Sequence, residues 1–181
     1  MNENINELLC KACESLYGDK SGGIEGVKKY VEMGADVNYI GKNKYGTEYS
    51  PLYIAVENDS YEIVNYLLEK GANSSILINN TSLLDSLISD LCDLYTDFDY
   101  QEIEYQDEKI FKSLFELLLQ YDADINRRTG RTRVTILDDF LRFKQEMNNL
   151  GYKNTGKNIE KYLRDLGAKT TKELEAESTN E

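Results

Sequence analysis

The densest chemistry in the chain lies between Asp90 and Glu108, DLCDLYTDFDYQEIEYQDE, where eight carboxylates and no lysine or arginine are interleaved with Tyr95, Phe98, Tyr100 and Tyr105. Carboxylates at that density complement a basic surface, and tyrosines add large contact area at low conformational cost. The other reading is a long helix whose aromatics pack inward while Asp and Glu face water. Calcium is a poor fit, because Asp97-x-Asp99 lacks a turn glycine and a matched glutamate. Opposite in sign is Asn126–Arg133, NRRTGRTR, with Arg127, Arg128, Arg131 and Arg133 around Gly130. Such a loop is either a contact surface or a solvated, salt-bridged one. Cys10-x-x-Cys13 has the spacing of a redox motif or half a zinc site, but it sits in a helical pattern, with Cys92 the one further cysteine and no histidine in the chain. All three cysteines are expected as buried small hydrophobes. Lack of histidine removes Ser–His and Cys–His nucleophile pairs and the commonest general base. No glycine-rich phosphate loop or distinctive carboxylate pair replaces them, so the expectation is a protein without catalysis, cofactor or bound metal.

Short helices must position these residues. Ser50 is a good N-cap and Pro51 fits the first helical position, where its missing N–H costs nothing. Leu52, Ala55 and Val56 share one face, Asn58-Asp59-Ser60 interrupts, and Ile63, Val64, Leu67 and Leu68 line a second helix that ends at Gly71. Two helices this short cannot bury their apolar faces alone, so the unit needs stacked neighbours. Related patterns recur. Ile5, Leu8, Leu9, Ala12 and Leu16 precede Val27, Tyr30 and Val31. Leu83, Leu84, Leu87, Ile88 and Leu91 precede Ile110, Phe111, Leu114, Phe115, Leu117 and Leu118. Finally Ile136, Leu137, Phe140 and Leu141 precede Ile159, Tyr162, Leu163 and Leu166.

Ser50-Pro51-Leu52-Tyr53, Ile54-Ala55-Val56, Glu62-Ile63-Val64 and Leu67–Asn73 follow the pattern TPLH, LAA, EIV and LLLEKGAN without a gap. Ser50–Ser75 therefore resembles one ankyrin repeat, and Gly34-Ala35-Asp36-Val37-Asn38 is similar to a repeat ending. The resemblance implies an all-α solenoid of helix-turn-helix units joined by β-hairpin fingers, in one domain spanning 1–181. Repeat 1 covers about 5–38, repeat 2 about 39–73, repeat 3 about 74–126 with an insertion near 90–108, and repeat 4 about 127–169, followed by a polar tail over 170–181. Insertions in such units are expected on loops. Thr81-Ser82-Leu83-Leu84 stands where TPLH would, and Asp122 takes the glycine's place, as a residue that tolerates left-handed backbone. Tyr53 in the usual histidine position puts the family's hydrogen bonding between units in doubt.

By the same resemblance the function is protein–protein interaction through the concave face, the finger tips and the insertion. The candidate contacts are Asn43, Lys44 and Tyr45 at the first finger tip, Glu57 and Asn58 after a first helix, and Tyr95, Asp97, Phe98, Asp99, Tyr100, Glu102, Glu104 and Tyr105 in the insertion. Arg127, Arg128 and Arg131 complete the set on a later finger. With 33 acidic against 21 basic residues and a net charge of −12, the chain is expected to avoid nucleic acid and to meet another protein with a basic surface. A narrower alternative is a small acidic inhibitor or immunity-type protein that blocks a basic, nuclease-like or effector surface. No apolar run approaches the roughly 18 residues of a membrane span, and MNENINELL lacks a basic signal-peptide start. The expectation is a cytoplasmic protein, monomeric when free.

Overall fold

The computed structural model describes residues 4–14, 22–97, 105–130, 132–152 and 157–179. Within them the chain runs α1 (Ile5–Glu14), α2 (Gly23–Glu32), β1 (Gly41–Lys42), β2 (Glu48–Tyr49), α3 (Pro51–Glu57), α4 (Tyr61–Glu69), β3 (Leu77–Ile78) and β4 (Thr81–Ser82). It continues through α5 (Leu83–Asp97), α6 (Tyr105–Gln120), α7 (Ile136–Asn149), α8 (Lys157–Asp165) and α9 (Thr171–Ser178). The class is all-α, as expected. The first helices of successive pairs pack in one layer, α1 on α3, α3 on α5 and α5 on α7, while α2, α4 and α6 stack in a second. Between the layers lies one apolar core, in which Leu9, Val27, Ala55, Val64, Leu67, Leu83, Leu114, Phe115, Leu137, Phe140 and Leu163 are fully buried. Tyr162 of α8 sets its ring edge-on to Phe111 and Phe115 of α6.

Three of the first helices, α3, α5 and α7, are started by a capping hydroxyl, and α1 by the Asn4 amide, whose Oδ1 accepts from Asn6 N at 3.0 Å. Ser50 Oγ accepts from Tyr53 N at 3.1 Å, Ser82 Oγ from Asp85 N at 3.2 Å, and Thr135 Oγ1 from Asp138 N at 3.4 Å. The cap in the third pair is therefore Ser82, one residue later than the TPLH alignment on Thr81 implies. Each second helix ends in left-handed backbone, at Gly34 (φ 93), Gly71 (φ 88), Asp122 (φ 67) and Gly167 (φ 90), so Asp122 adopts the conformation a glycine would.

The hairpin at 77–82 is a finger of the kind expected between units, at a position the sequence reading did not assign, and it turns through Asn79 (φ 50) and Asn80 (φ 67), two residues suited to such backbone. Two features depart from expectation. The described part of 90–108 is helix, not loop: α5 continues to Asp97 because Leu87, Ile88, Leu91 and Tyr95 keep the helical period, and α6 begins at Tyr105. The polar tail forms α9, started by a capping box between Thr170 and Glu173.

Candidate protein-binding face

Hydrogen bonds recur from one pair to the next and hold the hairpins and first helices in a common face. Asn38 donates from Nδ2 to Gly71 O at 2.9 Å, Ser75 from Oγ to Asp122 O at 3.1 Å, and Asn126 from Nδ2 to Gly167 O at 3.1 Å. The residue three after each cap reaches its neighbour too. Tyr53 lies beside Glu57 and Ser86, which places its hydroxyl against α5. Asp85 accepts from Thr129 Oγ1 at 2.6 Å, and Asp138 accepts from Thr171 N at 2.8 Å and Oγ1 at 2.6 Å. Hairpins are stitched sideways as well. Glu48 N donates to Asn79 Oδ1 at 3.0 Å, Asn79 Nδ2 donates to Glu48 O at 3.2 Å, and Gly130 N donates to Asn80 O at 3.0 Å.

Along this face the side chains are mainly acidic. A groove of about 440 Å³ between α1, the first hairpin and α3 carries Glu7, Glu14 and Glu48 beside Tyr49 and Tyr53. At the α3–α5 junction Ser86 Oγ donates to Glu57, and Asp90 stands close to Glu57, Asp59 and Asp93. Desolvation first, and then those three carboxylates, push exposed Asp90 up to about 6. A second hollow of about 300 Å³ between α5 and α7 is lined by Asp85, Asp139, Ile88, Cys92 and Ile136. Burial raises the Asp139 carboxyl despite Arg142 at 3.1 Å.

The residues picked from sequence fall into several groups. Tyr45 stands 80% exposed on the first hairpin tip with Lys44 Nζ 4.8 Å above its ring, whereas Asn43 holds the tip together by accepting from Tyr45 N and Thr47 N. Glu57 faces α5, and Asn58 caps α3 by donating to Ile54 O at 2.8 Å. Tyr95 is a core residue: it is 9% exposed, donates to Glu108 at 3.1 Å and packs on Phe143. It is therefore not offered to a partner, since the period of α5 turns it inward. Arg127 donates to Ser75 O, and Arg128 pairs with Glu175 of α9 at 3.2 Å, so both stitch the fold. Asp97 ends α5 and Tyr105 starts α6, but their side chains, and the whole of Phe98, Asp99, Tyr100, Glu102, Glu104 and Arg131, lie outside the described residues.

Sequence reading passed over Glu7, Glu14 and Tyr49, although the spacing of Glu7 and Glu14, two helical turns apart, marks one helix face. Cys10, Cys13 and Cys92 behave as packing residues: burial, ahead of nearby carboxylates, pushes Cys10 and Cys92 up to about 12, and burial, ahead of Cys10, raises Cys13 as well. Thiols so protonated are poor nucleophiles and metal ligands. Among the described residues, no group of three or more Cys, Asp or Glu side chains is arranged to hold a metal ion, and no helix is long and apolar enough to cross a membrane.

Residues 47–81 match the family model of the ankyrin repeat. This segment runs from the first hairpin through α3 and α4 to the second hairpin and is one ankyrin repeat, a module that generally mediates protein–protein interaction, set among similarly layered helices. Comparison with curated proteins finds no match.

Proposed function

We propose that the chain is a non-enzymatic interaction module of four ankyrin repeats that docks its hairpin-and-first-helix face on a basic surface of a partner protein. The observation that carries this reading is the run of acid along that face, from Glu7, Glu14 and Glu48 through Glu57, Asp90 and Asp93 to Asp85 and Asp139. Fixed carboxylates on a stitched scaffold steer a cationic partner and set its register. A narrower form, an inhibitor that covers a basic catalytic surface, is favoured by the net charge of −12.

The test is affinity capture from the native cell, followed by titration of the purified partner. The double variant Glu57→Gln/Asp90→Asn is expected to weaken the complex at least tenfold with the fold intact. A set at Asp97, Asp99, Glu102 and Glu104, all changed to amides, compares the insertion with the inner face. Retained affinity in both sets overturns an acidic docking face. Loss of the partner's own activity in the complex selects the inhibitor form, and unchanged activity selects simple docking.

A further inference from the structure

The groove between α1, the first hairpin and α3 combines two kinds of wall. On one side Glu7 and Glu14 project from α1. On the other stand the rings of Tyr49 and Tyr53. The Tyr49 ring is held in place by its contact with Gly41, where any Cβ would run into it. The Tyr53 ring is held by packing against the core beside Glu57 and Ser86. Burial raises the Tyr49 phenol, and Glu7 and Glu14 add to the rise after Tyr39 and Cys10, so the field of both carboxylates reaches that ring. Glu48 is engaged by Lys42 at 3.2 Å and by Asn79, which leaves the charge-matching role to the pair on α1.

Carboxylates facing aromatic rings across a groove of about 440 Å³ suit a planar cation. A guanidinium stacks on a phenol face while its edge donors fork to carboxylates, and its weak hydration makes the transfer from water cheaper than for an ammonium. We propose that this groove is an arginine pocket, in which the side chain of a partner arginine lies against Tyr49 and Tyr53 and donates to Glu7 and Glu14. This rests on the reading that the acidic face docks a basic partner, and it names the residue that partner must present. Lys11, one turn from each glutamate on α1, is the side chain the guanidinium has to compete with.

The experiment uses the full chain and N-acetyl-arginine methylamide as probe, followed through backbone amide shifts. Saturable shifts are expected at Glu7, Thr47 and Tyr49. The citrulline analogue, isosteric and neutral, should bind at least tenfold more weakly, and the lysine analogue several-fold more weakly. Glu7→Gln/Glu14→Gln should abolish saturation while the melting temperature holds, and Tyr49→Phe should retain binding because the ring remains. Shifts spread evenly over the acidic surface, equal binding of the citrulline analogue, or an unaffected double variant overturns the pocket. A partner that loses affinity with Glu57→Gln/Asp90→Asn but not with Glu7→Gln/Glu14→Gln rejects the pocket and keeps the docking face. A partner indifferent to both rejects the docking face itself.

Discussion

Asp138 occupies the position three residues after a helix cap, and it does two things there: its carboxylate closes the cap of α7 with Thr135 and ties that helix to Thr171 of α9. Burial works against its charge, but the hydrogen bonds from Thr171 and Thr135 outweigh that and hold its pKa below the ordinary aspartate value. A carboxylate depressed in the folded state stabilises above its unfolded pKa, about 3.9, and that contribution is lost as pH falls through the folded value. Asp138→Ala should therefore cost about 1–3 kcal/mol at pH 7, measured by urea unfolding, and the gap from the parent protein should close in strong acid. A gap that is the same at both pH values would refute the ionic strap. Tyr53 and Asp85 hold the equivalent positions, and the tyrosine in the histidine place still lies against Ser86 of the next pair. Backbone conformation supplies an independent residue-scale test. Gly71 has φ 88 and Asp122 φ 67 at matching helix ends. Gly71→Ala should destabilise by about 1–2 kcal/mol, since a Cβ is disfavoured in left-handed backbone. Asp122→Gly should move stability the other way by less than about 1 kcal/mol.

At the scale of elements, the hairpins act as a lateral ladder as much as a set of tips. Asn79 exchanges two hydrogen bonds with the backbone of Glu48 and itself sits at φ 50. Asn79→Ala should thus uncouple the first two hairpins, cost about 1–3 kcal/mol, and speed amide exchange at Glu48; protection at Glu48 equal to the parent protein would show the ladder to be incidental. Helix pairs were readable from sequence wherever caps, apolar period and terminal glycine coincide, as in Ser50, Pro51, Leu67 and Gly71. Reading slipped where two residues compete for one role: Thr81 and Ser82 are both able caps, and Ser82 wins because Asp85 reciprocates. It also slipped where an element lacks an apolar stripe. Helix α9 buries no residue, and only its Thr170–Glu173 capping box announces it. The acidic groove was the hardest to read, because Glu7 and Glu48 meet only after α1 packs on α3, and no local pattern encodes that encounter.

For the whole molecule, the acidic face is a stability cost held in place by the core and the straps. Asp90 shows the balance most clearly. Its pKa, pushed up to about 6 by desolvation and by Glu57, Asp59 and Asp93, lies above the unfolded value, so the folded chain holds that proton longer than the unfolded one. Folding stability must then fall as pH rises from about 4 to about 6 and stay lower above that. Solvent screening at this exposed side chain keeps the loss small. A cationic partner reverses the preference, because it favours the ionised carboxylate, and complex formation then releases the proton. Affinity should accordingly rise between pH 5 and pH 7 and weaken with added salt, while Asp90→Asn should flatten the pH profile and raise the melting temperature at pH 7 more than at pH 4. Calorimetric titration in buffers of different ionisation enthalpy reads the proton directly. Proton uptake, or a profile unchanged in Asp90→Asn, would place the partner away from the α3–α5 junction, whereas release near pH 6 ties the same carboxylates to both the strain of the free protein and its recognition of a basic surface.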